Sequence, residues 1–293
     1  MIVRPAAGAA DDIIAAWVDM TEIRRMEQAL VDSERILTRL RAEGYETSPD
    51  YAGSDAIVVN TCAFIDKAKQ ESIDAILEMA QHKTAGACRR LIVTGCLAER
   101  YREQLKKEIP EIDACLGTGD VPEIVNAIER KPTNVRFFKS RKDAEGHRNP
   151  GTLHPAPGTA PSHPGEGITY LYGSETPRLR TTPKHFAYVK IAEGCNHPCS
   201  FCIIPRMRGS HRSRAQRDVV AEAKALLADG VKELNLISQD STYYGLDLRA
   251  NHSRAISSPE KFSAATKSLA ADATTLCTLL RELNALKGDF WIR

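Results

Sequence analysis

The sequence predicts an α/β protein built on parallel sheets, and three observations carry that prediction. Short apolar runs of strand character alternate with stretches of helical periodicity between residues 29 and 130, and again after residue 185. Two of those runs end in cysteine, at Thr61-Cys62 and Gly95-Cys96, and open parallel sheets gather ligands beyond the carboxyl ends of their strands. Between the two blocks, residues 131–184 keep neither period and are rich in Pro, Gly, Ser, Thr and His, the composition of an interdomain linker.

Residues 1–28 are an atypical segment. Pro5-Ala-Ala-Gly-Ala-Ala10 reads as flexible, the weakly periodic stretch after it leans towards helix, and no first strand is recognisable there. Residues 29–130 then read as one doubly wound, flavodoxin-like domain. A helix over 29–43 has Leu30, Ile36, Leu37 and Leu40 on one face and Gly44 as its stop. Strands are expected at 55–60, 91–94 and about 112–116, with helices over about 67–81, 98–107 and 121–129. In the block 185–293 a strand over 186–191 precedes a helix over 218–228, stopped at Gly230, and a strand over 233–237. A polar insertion at 249–270, a helix over about 274–286 and a strand starting at 289 complete it. Cys277, inside the last helix, is expected in the core.

The chain of 293 residues is 42% hydrophobic and 27% charged, enough for a buried core and about two domains. No run approaches the roughly 18 apolar residues of a membrane span. The run Ile13-Ile-Ala-Ala-Trp-Val18 is short and lies beside Asp11, Asp12 and Asp19, so a cytoplasmic protein with no membrane partner is expected. Eight cysteines in a chain of this length fit a reducing compartment better than a disulfide scaffold. A net charge of +2 sets up no global field for nucleic acid. Arg206, Arg208, Arg212, Arg214 and Arg217 concentrate positive charge locally, which suits either an anionic or ribosomal partner or a solvated helix entrance.

The densest chemical signal is Glu193-Gly-Cys-Asn-His-Pro-Cys-Ser-Phe-Cys-Ile-Ile-Pro205, which puts Cys195, Cys199 and Cys202 on one short loop. Three thiolates so close together form a metal site, and their softness suits an iron-sulfur cluster or zinc. For a 4Fe-4S cluster, three ligands where four are needed leave one iron open to a substrate. The zinc alternative takes His197 as a fourth ligand, although no paired zinc spacing lies nearby.

This loop, after the apolar run 186–191 and with Arg206-Met-Arg-Gly209 and Arg212-Ser-Arg214 behind it, resembles the cluster loop of the radical S-adenosylmethionine (SAM) methylthiotransferases. The words Val31-Asp-Ser-Glu34, Val59-Asn-Thr-Cys-Ala-Phe-Ile65, Val93-Thr-Gly-Cys-Leu-Ala-Glu-Arg100 and Gln239-Asp-Ser-Thr-Tyr-Tyr-Gly245 are similar to the same family, and to its protein-modifying branch. The resemblance implies that residues 185–293 are the first part of a radical SAM partial (β/α)6 barrel, of which about three strands are present, so that the chain looks incomplete. It implies a 4Fe-4S cluster on Cys195, Cys199 and Cys202 that binds SAM through its open iron, with Gln239 and Asp240 bordering the SAM pocket. Loop capping is the plain alternative for those two. It implies a second 4Fe-4S cluster in the amino-terminal domain, with Cys62 and Cys96 as two of its three ligands. Met26 stands where the third cysteine belongs, and a thioether is a poor donor to ferric iron. Cys88 lies at the wrong end of its strand, on the order of 25 Å from the tip at about 3.3 Å per residue, which leaves Cys115 as the stand-in.

The chemistry implied is reductive cleavage of SAM, hydrogen abstraction from the β-carbon of an aspartate in the twelfth protein of the small ribosomal subunit, and transfer of a methylthio group to that carbon. A reduced electron donor and a sulfur donor would be partners, and Phe201 and Ile203 would shield the radical. Two other readings use the same residues: a transfer RNA adenosine methylthiotransferase, and a catalytically inactive metal-binding or interaction fragment.

Overall fold

The computed structural model describes residues 2–3, 15–19, 27–48, 50–63, 65–133, 171–173, 178–197, 199–248 and 273–293, together with Glu260, Ser263 and Lys267. They divide into two compact units. One takes in everything before residue 137 together with 178–181, and the other takes in 171–173 and everything from 182 onward.

The first unit is a parallel sheet with one antiparallel edge, in the order β1 (Ile2–Val3), β2 (Ala15–Asp19), β4 (Ala56–Thr61), β5 (Arg90–Gly95), β6 (Ala114–Leu116). Strand β2 corrects the helical leaning of the segment before residue 28, because it pairs in parallel with β4 from Ala15 opposite Ala56 to Asp19 opposite Asn60. From β2 the chain runs through α1 (Glu27–Ala42) and past the short β3 (Thr47–Ser48), which lies against β2, before it enters β4. Helices α2 (Asp66–Ala85) and α3 (Cys96–Glu108) then carry it on to β5 and β6. β2, β4, β5 and β6 thus follow one another across the sheet in chain order. Every residue of β4 and the four central residues of β5 are buried, so both faces of the sheet are covered. Helices α2 and α3 pack on β4, β5 and β6, while α1 packs with α4 (Ile124–Ile128).

Two polar devices set the ends of this sheet. At its amino-terminal edge Asp113 accepts from the Leu91 amide at 2.7 Å and pairs with Arg90 and Lys83. On α1, Ser33 accepts from Asn60 Nδ2 at 2.7 Å, and the fully buried Glu34 accepts from the Thr181 amide at 2.6 Å and from Arg178 Nε at 2.5 Å. The stretch 178–181, expected within a linker, is therefore strapped to α1.

The second unit is a parallel sheet in the order β11 (Trp291–Ile292), β10 (Glu233–Ile237), β7 (Phe186–Lys190), with Phe186 opposite Glu233 and Lys190 opposite Ile237. Helix α6 (Gln216–Ala228) connects β7 to β10, and α7 (Leu276–Asn284) leads into β11. Their apolar faces bury Val219, Val220, Ala223, Leu279 and Leu283 against Ala187, Val189 and Leu234. Cys277 is exposed, contrary to expectation, because Leu279 and Leu283 set the inward face of α7 and a residue two positions from Leu279 points away from it. Most of the insertion at 249–270, like Met26 and most of 131–184, lies outside the described residues.

Candidate functional site

Strand β7 ends at Lys190, and the chain at once forms a second, smaller ladder. There β8 (Ala192–Glu193) pairs antiparallel with β9 (Arg212–Ser213), Glu193 standing opposite Arg212. Everything between the two strands is a loop closed at its base, and the three cysteines of the motif ride on it. Gly194 takes φ +78°, and a Cβ there would meet the Ser210 carbonyl oxygen at 2.3 Å and that of Gly209 at 2.6 Å, so only glycine fits. The Cys195 amide donates to the Gly209 carbonyl at 3.1 Å. Cys202 donates to the Cys199 carbonyl at 3.1 Å just before the short α5 (Ile204–Met207).

Cys195 and Cys202 are half-buried and Cys199 is exposed, so the thiols present an accessible face. Burial pushes the Cys195 thiol up; the His197 amide, donating to its sulfur at 3.4 Å, acts against this, while nearby Asp240, Cys202 and Cys199 push it further up. Among the described residues no group of three His, Cys, Asp or Glu side chains is already gathered to hold a metal ion. Three soft donors on one loop with an open face fit a 4Fe-4S cluster by donor chemistry.

Asp240 sits beyond the tip of β10, and both its oxygens are engaged. One accepts from the Thr242 amide at 3.0 Å and the Thr242 hydroxyl at 2.6 Å; the other meets His197 Nε2 at 2.8 Å. It therefore both caps the turn Ser241–Tyr243 and ties down the cysteine loop between its first two cysteines. Gln239 lies beside it, with its Oε1 buried. Phe201, expected to shield the site, is 90% exposed: it sits on a turn of the loop that no described element covers. Ile203 is half-buried.

The arginine run is also corrected. Arg208, Arg212 and Arg214 point inward and only Arg206 and Arg217 face solvent, so the run forms no surface patch. Arg208 Nη1 reaches both oxygens of the buried Glu193, at 3.1 and 3.0 Å, and Lys190 Nζ reaches one of them at 2.9 Å. Burial alone would push the Glu193 carboxyl up, but Arg208 and then Lys190 outweigh it and hold the group well below the usual carboxylate range. Arg214 donates to the Lys190 carbonyl at 2.7 Å and to Glu222 at 2.6 Å, and its guanidinium lies 4.9 Å from the Tyr172 ring centre. On the other side of the ladder Ser213 donates to Asp247 at 2.5 Å and accepts from the Gly245 amide at 2.8 Å. Sequence reasoning missed this network. The one signal for it was a lysine at the end of an otherwise apolar strand.

In the first unit Cys62 follows the last residue of β4 and Cys96 opens α3 directly after β5. The register Thr61 opposite Gly95 brings these two strand tips side by side. Gly95 takes φ +95°, and a Cβ there would lie 2.5 Å from the Thr61 carbonyl oxygen, so glycine permits this approach. Both cysteines are buried. Ser72 brackets the Cys62 backbone, accepting from its amide at 3.0 Å and donating to its carbonyl at 3.1 Å. Cys115 pairs opposite Val93, two residues before the end of β5 at Gly95, and burial pushes its thiol up to about 11. Cys88 precedes β5 at its other end.

Comparisons with known proteins match both units. Residues 189–286 match the radical SAM superfamily, and residues 27–117 match the uncharacterized protein family UPF0004. The ribosomal protein uS12 methylthiotransferase RimO of Akkermansia muciniphila is 42% identical over 90% of this chain and 52% of its own length. The protein of the same name from Koribacter versatilis is 47% identical over 75% of this chain and 47% of its own length. The chain thus spans about half the length of the curated relatives it matches. Among solved structures, the radical SAM methyltransferase TsrM from Kitasatospora setae, with cobalamin and a [4Fe-4S] cluster bound, has a TM-score of 0.49 at 15% identity, covering 78% of this chain and 47% of that one.

Proposed function

We infer that this chain is a member of the radical SAM methylthiotransferase family and carries the cluster-binding part of an enzyme that adds a methylthio group to the β-carbon of an aspartate in ribosomal protein uS12. The observation that supports this most is the closed loop at the carboxyl end of β7, which presents Cys195, Cys199 and Cys202 beside the polar tip of β10. Those three cysteines would hold a 4Fe-4S cluster, which when bound supplies the electron that cleaves SAM. The chain's own part is positional. Gly194 lets the loop leave the sheet, the Gly209 carbonyl anchors Cys195, and Asp240 holds the loop through His197.

Gln239 would border SAM on the same side. Asp240 would act through His197, because its oxygens are already engaged. Cys62 and Cys96 would contribute two ligands to a second cluster, and Met26 occupies the place of the third. A reduced electron donor, a sulfur donor and a cytoplasmic setting complete this reading. Among the described residues no helix is long and apolar enough to cross a membrane.

The test is iron and acid-labile sulfide per chain after anaerobic reconstitution, with electron paramagnetic resonance of the reduced sample. About eight irons would mean that Cys62 and Cys96 have recruited a further ligand and hold the second cluster that methylthio transfer needs, whereas about four, lost in Cys195→Ala, would leave only the radical SAM cluster and sink sulfur insertion by this chain. Zinc in place of iron would overturn the reading. A mass shift of one methylthio group on a uS12 aspartate peptide, rather than on transfer RNA, tests the substrate.

A further inference from the structure

The cysteine loop leaves the fold at Glu193 and returns at Arg208, and these two side chains meet. Glu193 is 1% exposed, and its carboxylate accepts from Arg208 Nη1 on both oxygens, from Lys190 Nζ on one and from the Gly194 amide at 3.1 Å on the other. Lys190 and Arg208 are themselves 0% and 4% exposed. Three buried charges in place of apolar side chains add little to stability as such, but they fix direction, since a carboxylate with its donors set in place admits few arrangements. Lys190 is braced from behind. Arg214 holds its carbonyl, and its ammonium lies 5.8 Å from the Tyr172 ring centre.

We propose that Lys190, Glu193 and Arg208 are positioning residues: they close the base of the loop and hold Cys195, Cys199 and Cys202 in place for a cluster before one is bound. The proposal rests on the cluster reading above only for what the loop receives; the closure itself is a property of the metal-free chain. Closing the ends of a flexible loop costs entropy, and a charge pair at its base meets that cost during folding rather than at cluster assembly. The Cys195 amide bond to Gly209 and the Glu193–Arg212 ladder pair lie directly beside the triad, so loss of the Arg208 contact would free the first cysteine before the others.

The experiment uses the full chain as Arg208→Met, as Arg208→Lys and, for a control of general destabilisation in the same unit, as Leu226→Ala. Amide hydrogen exchange of residues 195–203 in the metal-free protein is the first readout. Arg208→Met is expected to speed it about tenfold or more, with Arg208→Lys in between and Leu226→Ala leaving it near the parent value. After anaerobic reconstitution, a chelator is expected to strip iron from Arg208→Met about tenfold faster than from the parent. Loop exchange in Arg208→Met no faster than in Leu226→Ala would overturn the proposal. Should Arg208→Met not fold, the same comparison with Arg208→Lys decides. A parent chain that takes up no iron would sink the cluster reading, and the exchange measurement would still decide the loop closure.

Discussion

Burial sorts the eight cysteines by chemistry more sharply than their spacing does. Cys62, Cys88, Cys96 and Cys115 are between 3% and 6% exposed, Cys195 and Cys202 are intermediate, and Cys199 and Cys277 stand at the surface. A thiol must be reachable as well as ionised to be alkylated, and the buried ones are not reachable. Iodoacetamide on the metal-free folded chain is therefore expected to modify Cys199 and Cys277 first. Cys88 and Cys115 should follow at least about a hundredfold more slowly, through local opening. Peptide mass spectrometry over time measures the order, and Cys115 reacting as fast as Cys277 would contradict its burial. The spacing of Cys195, Cys199 and Cys202 could be read directly from the sequence, because ligand spacing is local. The exposure of Cys277 could not, because it depends on which face of α7 meets α6. Asp240 illustrates the same limit: the sequence gives a polar strand tip, while the partner that engages its second oxygen, His197, is distant in sequence.

At the level of elements, β4, β5, β6, β7 and β10 were legible, and β2 was not. Ala15-Ala-Trp-Val-Asp19 shows no alternation and carries an acid at its end, and it becomes a strand only by lying against β4. The strap on α1 was hidden for a related reason. Val31-Asp-Ser-Glu34 reads as an ordinary helical turn until Arg178 and Thr181 arrive from far along the chain. That strap makes a prediction at its own scale. Glu34→Ala leaves Arg178, whose side chain is 6% exposed, without its carboxylate. Removing one partner of a buried pair costs about 3–5 kcal/mol, enough to detach 178–181 from the helix. Limited proteolysis after Arg178 and Arg180 is expected to accelerate in Glu34→Ala and much less in Glu34→Gln, which keeps an acceptor for the Thr181 amide. Equal cleavage in the two variants would show that a neutral acceptor does not hold the strap and that the carboxylate charge does.

The whole molecule has a nearly balanced charge of +2, so its response to pH is set by individual buried groups rather than by general repulsion. On the alkaline side two thiols stand out. Burial pushes Cys88 and Cys115 from 9.0 up to about 11, outweighing the cations beside them, Lys83 near Cys88 and Arg102 near Cys115. In the unfolded chain both would ionise near pH 9, whereas in the folded chain they remain neutral to about pH 11. Below pH 9 both states keep the proton and the folded state has its full stability. As pH rises from about 9 to about 11 the unfolded state releases protons that the folded state retains, so stability falls. The loss is on the order of 1–2 kcal/mol per thiol across that window, and buried Tyr45 and Tyr244, also raised, extend it upward. Urea unfolding midpoints of the metal-free chain at pH 8 and pH 10.5 measure it, with the double variant Cys88→Ala and Cys115→Ala as comparison. The double variant is expected to be less stable at pH 8, because of the space it leaves, yet to lose less between the two pH values than the parent. Equal losses in both proteins would mean that the alkaline weakness lies in the tyrosines or in the charge pairs and not in these two thiols.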